Sequence, residues 1–164
     1  MDGRGIAGAM RLGAIGAQLG TAFVLCDESA ADAAYRAAMV SEAAYHTVLT
    51  PAISGRPARC LANEFTRWAQ TARQMPPDYP RAYDIGKALN AAAKAAGVGS
   101  YGAQWAGQGA PLARALPATE IVAALAAELC PASGSGSGSS AGSAQQALCR
   151  GIEQRSEMHA RAPV

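Results

Sequence analysis

The sequence has few aromatic residues, no long apolar run and no concentration of charge of one sign. Aromatic side chains make up 5% of the 164 residues. Much of the apolar half is alanine, which buries little area per residue, so the chain can bury only one thin core. The formal net charge of +2 is scattered, which argues against a nucleic-acid surface. We therefore expect a single domain or part of one.

Signals for membrane insertion or secretion are also missing. No apolar run is long enough to span a bilayer. The start, Met1 to Gly5, lacks the charged-then-apolar order of a secretory signal. We therefore expect a cytoplasmic protein with neither a membrane nor a nucleic acid as partner.

The cysteines follow no metal-ligand pattern. Cys26, Cys60, Cys130 and Cys149 are widely spaced, and no Cys-x-x-Cys pair occurs. We therefore expect buried or idle thiols rather than a zinc site or a disulfide framework.

The stretch from Leu12 to Phe23 predicts a buried strand that opens onto an anion-binding turn. A short apolar run leads into Gln18, Leu19, Gly20 and Thr21. Gly20 lets the backbone approach a bound group closely, and the Thr21 hydroxyl adds a donor beside the backbone N–H groups. This turn is the only local signal with a chemical mechanism, and it suits strand 8 of a (β/α)8 barrel.

A helix is predicted immediately before this strand. Asp2 can cap it, Gly13 can end it, and Ile6, Ala9, Met10 and Leu12 form its apolar side. In a βαβ unit a parallel strand precedes such a helix, and none does here. We therefore expect part of the unit to be missing upstream.

The middle of the chain predicts alternating helices and loops. Ser29 and Asp32 resemble a capping box for a helix from about Ala30 to Ala44. A strand at Thr47–Thr50, closed by Pro51, and a loop at Ile53–Arg59 are expected after it. A helix carrying Phe65 and Trp68 should then end before Met75-Pro76-Pro77. The next helix should end before Gly97, with Tyr83, Ile85, Leu89, Ala92 and Ala96 on its apolar face, and a Gly-rich aromatic loop should follow at Gly99–Gly109.

The composition changes after the last predicted helix. Pro117 opens that helix, whose apolar side carries Ile121, Val122, Leu125 and Leu129. Ser-Gly repeats follow from Ser133 to Ser143. Such repeats cannot bury enough surface to become ordered, so Ser133 to Val164 predicts a disordered tail.

No catalytic constellation is complete in the sequence. His46 and His159 lack a partner at a recognised spacing, and Ser54 lacks the flanking glycines of a nucleophile elbow. Arg56 and Arg59 can meet an anion, but pairing with carboxylates is commoner for loop arginines. Tyr101 and Trp105 can stack on a planar ring, and packing is the more frequent role of such an aromatic loop.

Several segments resemble the nitronate monooxygenases, also called 2-nitropropane dioxygenases. They are Asp2–Ala7, Leu12–Ala14, Gln18–Phe23, Thr47–Thr50, Ser54–Arg59, Tyr83–Leu89 and Trp105–Leu112. The resemblance extends from Met1 to about Leu129. Other FMN barrels, including FMN-dependent enoyl reductases, share the Gln-Leu-Gly-Thr motif, whereas the later segments are more specific.

The resemblance implies an α/β fold, the C-terminal part of an FMN-binding (β/α)8 TIM barrel with a mainly helical accessory region and a disordered tail. Residues 1–26 correspond to the last helix and strand of the barrel, and residues 27–100 to the accessory region. Residues 101–130 form an aromatic loop and a helix that returns to the barrel, and residues 131–164 form the Ser/Gly-rich tail.

The activity implied by the resemblance is the oxidation of alkyl nitronates by O2 to carbonyl compounds and nitrite, with FMN and without a metal. Gln18, Leu19, Gly20 and Thr21 match the family's contacts to the FMN phosphate. The family's Gly-Gly-Ile phosphate segment would stand before Met1. The family's catalytic histidine has no counterpart, since His46 does not occupy its position. The resemblance therefore implies an inactive isolated chain whose partners are FMN, a small nitronate and an N-terminal barrel portion.

Two other interpretations stay open. The first is part of another FMN barrel oxidoreductase of the enoyl reductase type. The second is a non-enzymatic partner that docks through exposed apolar faces onto a separately encoded N-terminal half.

Overall fold

A computed structural model describes residues 1–72 and 74–130. It contains the helices α1 (Gly3–Arg11), α2 (Ala33–Met39), α3 (Glu64–Thr71), α4 (Arg81–Ala95) and α5 (Ala118–Leu129), the strands β1 (Thr47–Thr50) and β2 (Ala58–Leu61), and short 3₁₀ helices at Thr21–Phe23, Glu42–Tyr45 and Ala110–Leu112. The described residues form two compact units, one made of Met1–Leu19 with 116–130 and one made of Gly20–Ala115. The tail predicted from Ser133 lies outside the described residues.

In the first unit, α1 packs directly on α5. The carboxylate of Asp2 accepts a hydrogen bond from Gly5 N–H at 2.8 Å, so the predicted N-cap is confirmed. A Cβ on Gly3 would lie 2.4 Å from the backbone O of Leu125 and from the backbone N of Leu129. The missing side chain of Gly3 therefore permits the close approach of the two helices.

The predicted apolar side of α5 is largely confirmed. Ile121, Leu125 and Leu129 are buried, whereas Val122 is exposed. The buried positions recur every four residues and so form one stripe along the helix.

Residues 12–20 do not form the predicted buried strand. Leu12 is 91% exposed and Ile15 is fully exposed, and no residue of the segment belongs to a strand. A strand needs a neighbour to pair its backbone N–H and C=O groups. Among residues 1–72 and 74–130, the only sheet pairs β1 with β2, so the segment has no strand to pair with.

In the second unit, β1 and β2 form an antiparallel pair. Thr47 lies opposite Leu61, and Thr50 lies opposite Ala58. The prediction of β1 is confirmed, but the loop predicted at Ile53–Arg59 was too long, because β2 already begins at Ala58. Four residues that include an arginine give a weak strand signal alone, and pairing with β1 decides their conformation.

The helix predicted from Ala30 to Ala44 is shorter than expected and is followed by a separate 3₁₀ turn. Its N-cap is Asp32, whose carboxylate accepts a hydrogen bond from Tyr35 N–H at 2.8 Å, so the capping box predicted from Ser29 is wrong. Ser41 has extended backbone and caps the 3₁₀ helix through Ala43 N–H. Serine favours cap positions over helix interiors, so α2 ends before Ser41 and a new 3₁₀ helix begins after it.

One arginine fixes the loop before α2. The Arg36 guanidinium donates hydrogen bonds to the carbonyl oxygens of Leu25, Cys26, Ser29 and Ala31 at 2.7–3.0 Å. Hydrogen bonds from a charged donor are stronger than neutral ones. This side chain therefore joins residues 25–31 to α2.

Two small apolar clusters form the core of this unit. One contains Leu25, Met39, Ala44, Leu61, Ala106 and Ala110. The other contains Ile53, Cys60 and Phe65, with Val48, Tyr101, Ala103 and Trp105 packed against it. The predicted packing role of the aromatic loop is therefore confirmed.

The cysteines agree only in part with the predicted idle thiols. Cys26 and Cys60 are free and buried, and burial raises the pKa of the Cys60 thiol to about 11. This thiol stays protonated and unreactive at neutral pH. Cys130 is disulfide-bonded, which corrects the expectation there, and Cys149 lies outside the described residues.

The predicted helices α3 and α4 are both present. Asn63 and Thr66 form a capping box at the start of α3, and Gly97 follows α4 with a φ of 79°. The apolar face expected of α4 is not buried. The buried residues of this helix are Ala82 and Gly86, whereas Ile85 and Leu89 of the expected face are exposed. No helix within the described ranges has the length and apolar composition needed to cross a bilayer.

The close contact at Gly3 leads to a stability prediction. Gly3→Ala places a Cβ against α5 and is expected to lower the free energy of unfolding by about 2 kcal/mol. Gly8→Ala is the matched control, because a Cβ on Gly8 meets nothing within 4 Å. It should raise the free energy of unfolding by about 0.5 to 1 kcal/mol. Urea unfolding measures both, and equal effects of the two substitutions would contradict the packing described.

The ion pair at the start of α2 leads to a pH prediction. Lys94 Nζ lies 2.6 Å from Asp32 Oδ2. Hydrogen bonds from Lys94 and from the Tyr35 N–H lower the pKa of the Asp32 carboxyl below 3.8. Asp32→Asn keeps the cap but loses the ion pair. The free energy of unfolding of the wild type should be higher than that of Asp32→Asn by at most about 1 kcal/mol at neutral pH, since both charged groups are half-exposed.

Because the pKa of Asp32 is lower in the folded chain than in the unfolded one, its ionised form stabilises the fold at pH values above the unfolded pKa. This stabilisation is lost as the pH falls through the folded pKa. The difference between wild type and Asp32→Asn should therefore disappear in acid. Urea unfolding between neutral pH and pH below 3.8 measures it. A difference that persists in strong acid would refute this assignment.

Candidate functional site

The predicted anion turn begins a short 3₁₀ helix. Gly20 precedes Thr21–Phe23, and no side chain caps this end. The first N–H groups of a helix have no intrahelical acceptor, so they can bind an anion. Gly20 has a φ of −99°, which any residue can adopt. A Cβ on Gly20 would meet nothing within 4 Å, so the turn is open to an approaching group.

Thr21 is oriented by a distant segment of the chain. Its Oγ1 accepts a hydrogen bond from the backbone N–H of Gly107 at 3.0 Å. A hydroxyl that accepts one bond still has its proton to donate. The Gly107 N–H therefore limits the directions in which Thr21 can donate to a bound anion.

The four predicted site residues divide between the two units. Gly20 and Thr21 form the turn in the Gly20–Ala115 unit, whereas Gln18 and Leu19 belong to the other unit. Gln18 is exposed and Leu19 is half-buried. The structure thus brings Gly20 and Thr21 together with Gly107, a contact that the sequence did not predict.

A cluster of two cations and two tyrosines was also missed. The Arg56 guanidinium carbon lies 5.1 Å from the Tyr79 ring centroid, and the Tyr79 and Tyr83 rings stack with centroids 6.4 Å apart. Lys87 Nζ lies 4.9 Å from the Tyr83 ring centroid. We call Arg56, Tyr79, Tyr83 and Lys87 the cation–tyrosine cluster. Its two cationic side chains, of which Lys87 is also paired with Asp84, and its two phenol hydroxyls can interact with a small anion.

Lys87 forms an ion pair with a neighbouring carboxylate. Its Nζ lies 2.8 Å from Asp84 Oδ1, and the hydrogen bond with Asp84 raises the pKa of Lys87. Lys87 is protonated at neutral pH even at the ordinary lysine pKa. The spacing of four residues from Tyr79 to Tyr83 and on to Lys87 was the available sequence signal.

The other predicted candidates have structural roles. The Arg59 guanidinium donates to the Oγ1 of Thr47 at 3.2 Å, across the β1–β2 pair. The side chain of His46 is exposed, and its Nε2 lies 3.3 Å from Glu42 Oε1. The Ser54 hydroxyl donates to the Arg56 carbonyl at 3.0 Å within a turn. His159 lies outside the described residues. Within residues 1–72 and 74–130, no group of three or more His, Cys, Asp or Glu residues is placed to hold a metal ion.

Comparison with known proteins identifies relatives of the chain. The profile of the nitronate monooxygenase family matches residues 1–128. A nitronate monooxygenase of Paraburkholderia phytofirmans is 60% identical over 130 residues, which are 79% of this chain and 36% of the relative. One from Pseudomonas aeruginosa is 54% identical over 130 residues, again 79% of this chain and 37% of the relative. The chain thus spans little more than a third of these relatives.

Solved structures of two related enzymes are also similar to this chain. A nitroalkane oxidase from Streptomyces ansochromogenes is 43% identical with a TM-score of 0.72, over 80% of this chain and 38% of that one. FabK from Thermotoga maritima is 32% identical with a TM-score of 0.62, over 78% of this chain and 41% of that one. The fold of the matched region is therefore shared with both.

The contact between Thr21 and Gly107 leads to a prediction. Thr21→Val keeps the shape of the side chain but removes the acceptor of the Gly107 N–H, so the free energy of unfolding should fall by about 1 kcal/mol. Thr21→Ser keeps the hydroxyl and serves as the control. Urea unfolding gives the difference in stability, and amide exchange at Gly107 should accelerate only in Thr21→Val. Unchanged exchange there would rule out the hydrogen bond.

Proposed function

The chain belongs to the nitronate monooxygenase family, and we propose that it is the C-terminal part of an FMN-dependent enzyme that oxidises alkyl nitronates with O2 to carbonyl compounds and nitrite. The proposal rests mainly on the open turn at Gly20 and Thr21, at the position where the family binds the FMN phosphate. Its uncapped N–H groups and the oriented hydroxyl fit a phosphate. The relatives extend well beyond the matched region, and the proposed activity is that of a whole enzyme of which this chain would be one part.

Four residues are assigned to the cofactor. Gln18, Leu19, Gly20 and Thr21 would hold the phosphate of FMN, with Gly20 giving access and Thr21 donating its hydroxyl proton. When bound, FMN supplies the redox chemistry of nitronate oxidation. The contribution of these residues is to bind and orient the anionic end of the cofactor.

The cation–tyrosine cluster is assigned to the substrate anion. An alkyl nitronate is negatively charged, and Arg56 and Lys87 provide positive charge in the same unit as the Gly20 turn. The carboxylate of Asp84 pairs with Lys87 and raises the pKa of Lys87 further above its ordinary value. The side chains of this cluster would therefore attract and orient the nitronate.

The exposed segment after α1 fits the same proposal. We assign residues 1–26 to the last helix and strand of a (β/α)8 barrel, 27–100 to the accessory region and 101–130 to the segment that returns to the barrel. In this arrangement residues 12–20 become a strand only when a neighbouring strand pairs with them. Their apolar side chains, Leu12 and Ile15, would then be buried.

The Gln-Leu-Gly-Thr motif favours a second candidate. Because FMN-dependent enoyl reductases share this motif, an enzyme of that type would bind FMN at the same turn. The substrates then distinguish the two candidates. An enoyl thioester with a nicotinamide donor tests the second, and a nitronate tests the first.

The isolated chain is predicted to be inactive. No described residue is assigned as the catalytic base, and the unpaired segment at 12–20 cannot complete a flavin site. Purified chain with FMN and propyl nitronate should therefore release no nitrite above the FMN-only background. Stoichiometric FMN binding with nitrite release would refute this prediction.

A chimera tests the assigned activity. In the Paraburkholderia phytofirmans relative, the 130 matched residues are replaced by those of this chain, which are 60% identical. The chimera should bind FMN and release nitrite from propyl nitronate. Thr21→Val in it should weaken FMN binding about tenfold, because a charge-assisted hydrogen bond is lost, while Thr21→Ser should bind normally. Reduction of an enoyl thioester without nitronate oxidation would support the second candidate instead.

A further inference from the structure

An apolar groove lies between α3 and α4 in the Gly20–Ala115 unit. Its volume is about 640 Å³, within the usual range of small-molecule sites. Four large side chains at the groove stay exposed, Trp68 by 58%, Met75 by 81%, Ile85 by 61% and Leu89 by 38%. Exposed apolar residues scattered singly need no explanation, but their concentration around one concave site indicates binding.

The walls of the groove are fixed by close backbone contacts. A Cβ on Gly86 would lie 3.1 Å from the Ile53 carbonyl oxygen, so α4 approaches the neighbouring loop closely. Gly55, with a φ of 79°, lies so near Pro77 that a Cβ would be 2.6 Å from the Pro77 carbonyl oxygen. The groove therefore exists before any ligand arrives, and binding would not have to order it.

The lining is apolar and uncharged among the described residues. The Thr50 hydroxyl accepts a hydrogen bond from Ala52 N–H at 3.1 Å, and the Thr71 hydroxyl donates to the Trp68 carbonyl at 2.7 Å. Gln74 is the remaining polar side chain, and it is exposed. A charged ligand would lose hydration here without gaining a described ionic partner.

We propose that this groove binds an uncharged, mainly aliphatic small molecule. Its chain would lie against Ile85, Leu89 and the face of Trp68, and Gln74 could bond one terminal polar group. An alkyl nitronate is an anion and does not match this lining. The groove is therefore a second site, separate from the cation–tyrosine cluster and independent of the proposed oxidation.

Trp68 provides a direct signal for the test. Trp105→Phe leaves Trp68 as the only tryptophan and retains the backbone carbonyl that Tyr35 bonds. In this background, 1-decanol should shift the emission of Trp68 saturably. Decanoate has the same chain length with a charge, and it should bind at least about tenfold more weakly.

Matched substitutions locate the binding. Ala69 lines the groove, whereas Ala88 is exposed on α4 outside it. Ala69→Phe should weaken decanol binding at least about tenfold by filling the groove, and Ala88→Phe should leave it unchanged. Ile85→Asp, at an exposed position, should weaken binding similarly without disturbing the fold, which circular dichroism checks for all variants.

Three results would overturn the proposal. They are the absence of a saturable response to decanol, equal affinity for decanol and decanoate, and equal binding by Ala69→Phe and Ala88→Phe. Sedimentation tests a different occupant. A dimer that Ala69→Phe dissociates and decanol leaves intact would make the groove a self-association surface instead.

Discussion

The need of a β-strand for a hydrogen-bonded neighbour governs the most unusual part of this chain. Residues 12–20 have the composition of a buried strand, yet Leu12 and Ile15 are exposed. The backbone of a strand is satisfied only by pairing, and the sheet of the described residues consists of β1 and β2 alone. The same requirement explains why β2 forms from an unpromising sequence, since β1 lies beside it.

Local signals predicted the helices well. Asp2, Pro117 and Gly97 mark helix ends through capping, backbone restriction and positive φ, which act within a few residues. The break between α2 and the following 3₁₀ helix was missed because Ser41 competes with the helix only through its own cap. The exposed face of α4 was missed because the small residues Ala82 and Gly86, rather than the larger apolar ones, meet the core.

Predicting the candidate site was harder because its contacts are distant in sequence. The turn at Gly20 and Thr21 carries a recognisable pattern, but nothing local indicates that Gly107 donates to Thr21. Arg56 meets Tyr79 only because Gly55 allows the two loops to approach closely. Tyr83 and Lys87 then extend this cluster along one face of α4, while Ile85 and Leu89 line the uncharged groove. The helix α4 thus carries the cation–tyrosine cluster on one face and the lining of the apolar groove on another.

We propose that residues 12–20 form a barrel strand only when a neighbouring strand pairs with them, and that this strand ends in a phosphate-binding turn. Hydrogen exchange of the amides at residues 12–20 tests it most directly, in the chain alone and in the chimera with the Paraburkholderia phytofirmans relative loaded with FMN. We expect rapid exchange in the chain alone and strong protection in the chimera, extending to Gly20 and Thr21. Rapid exchange in both would contradict it.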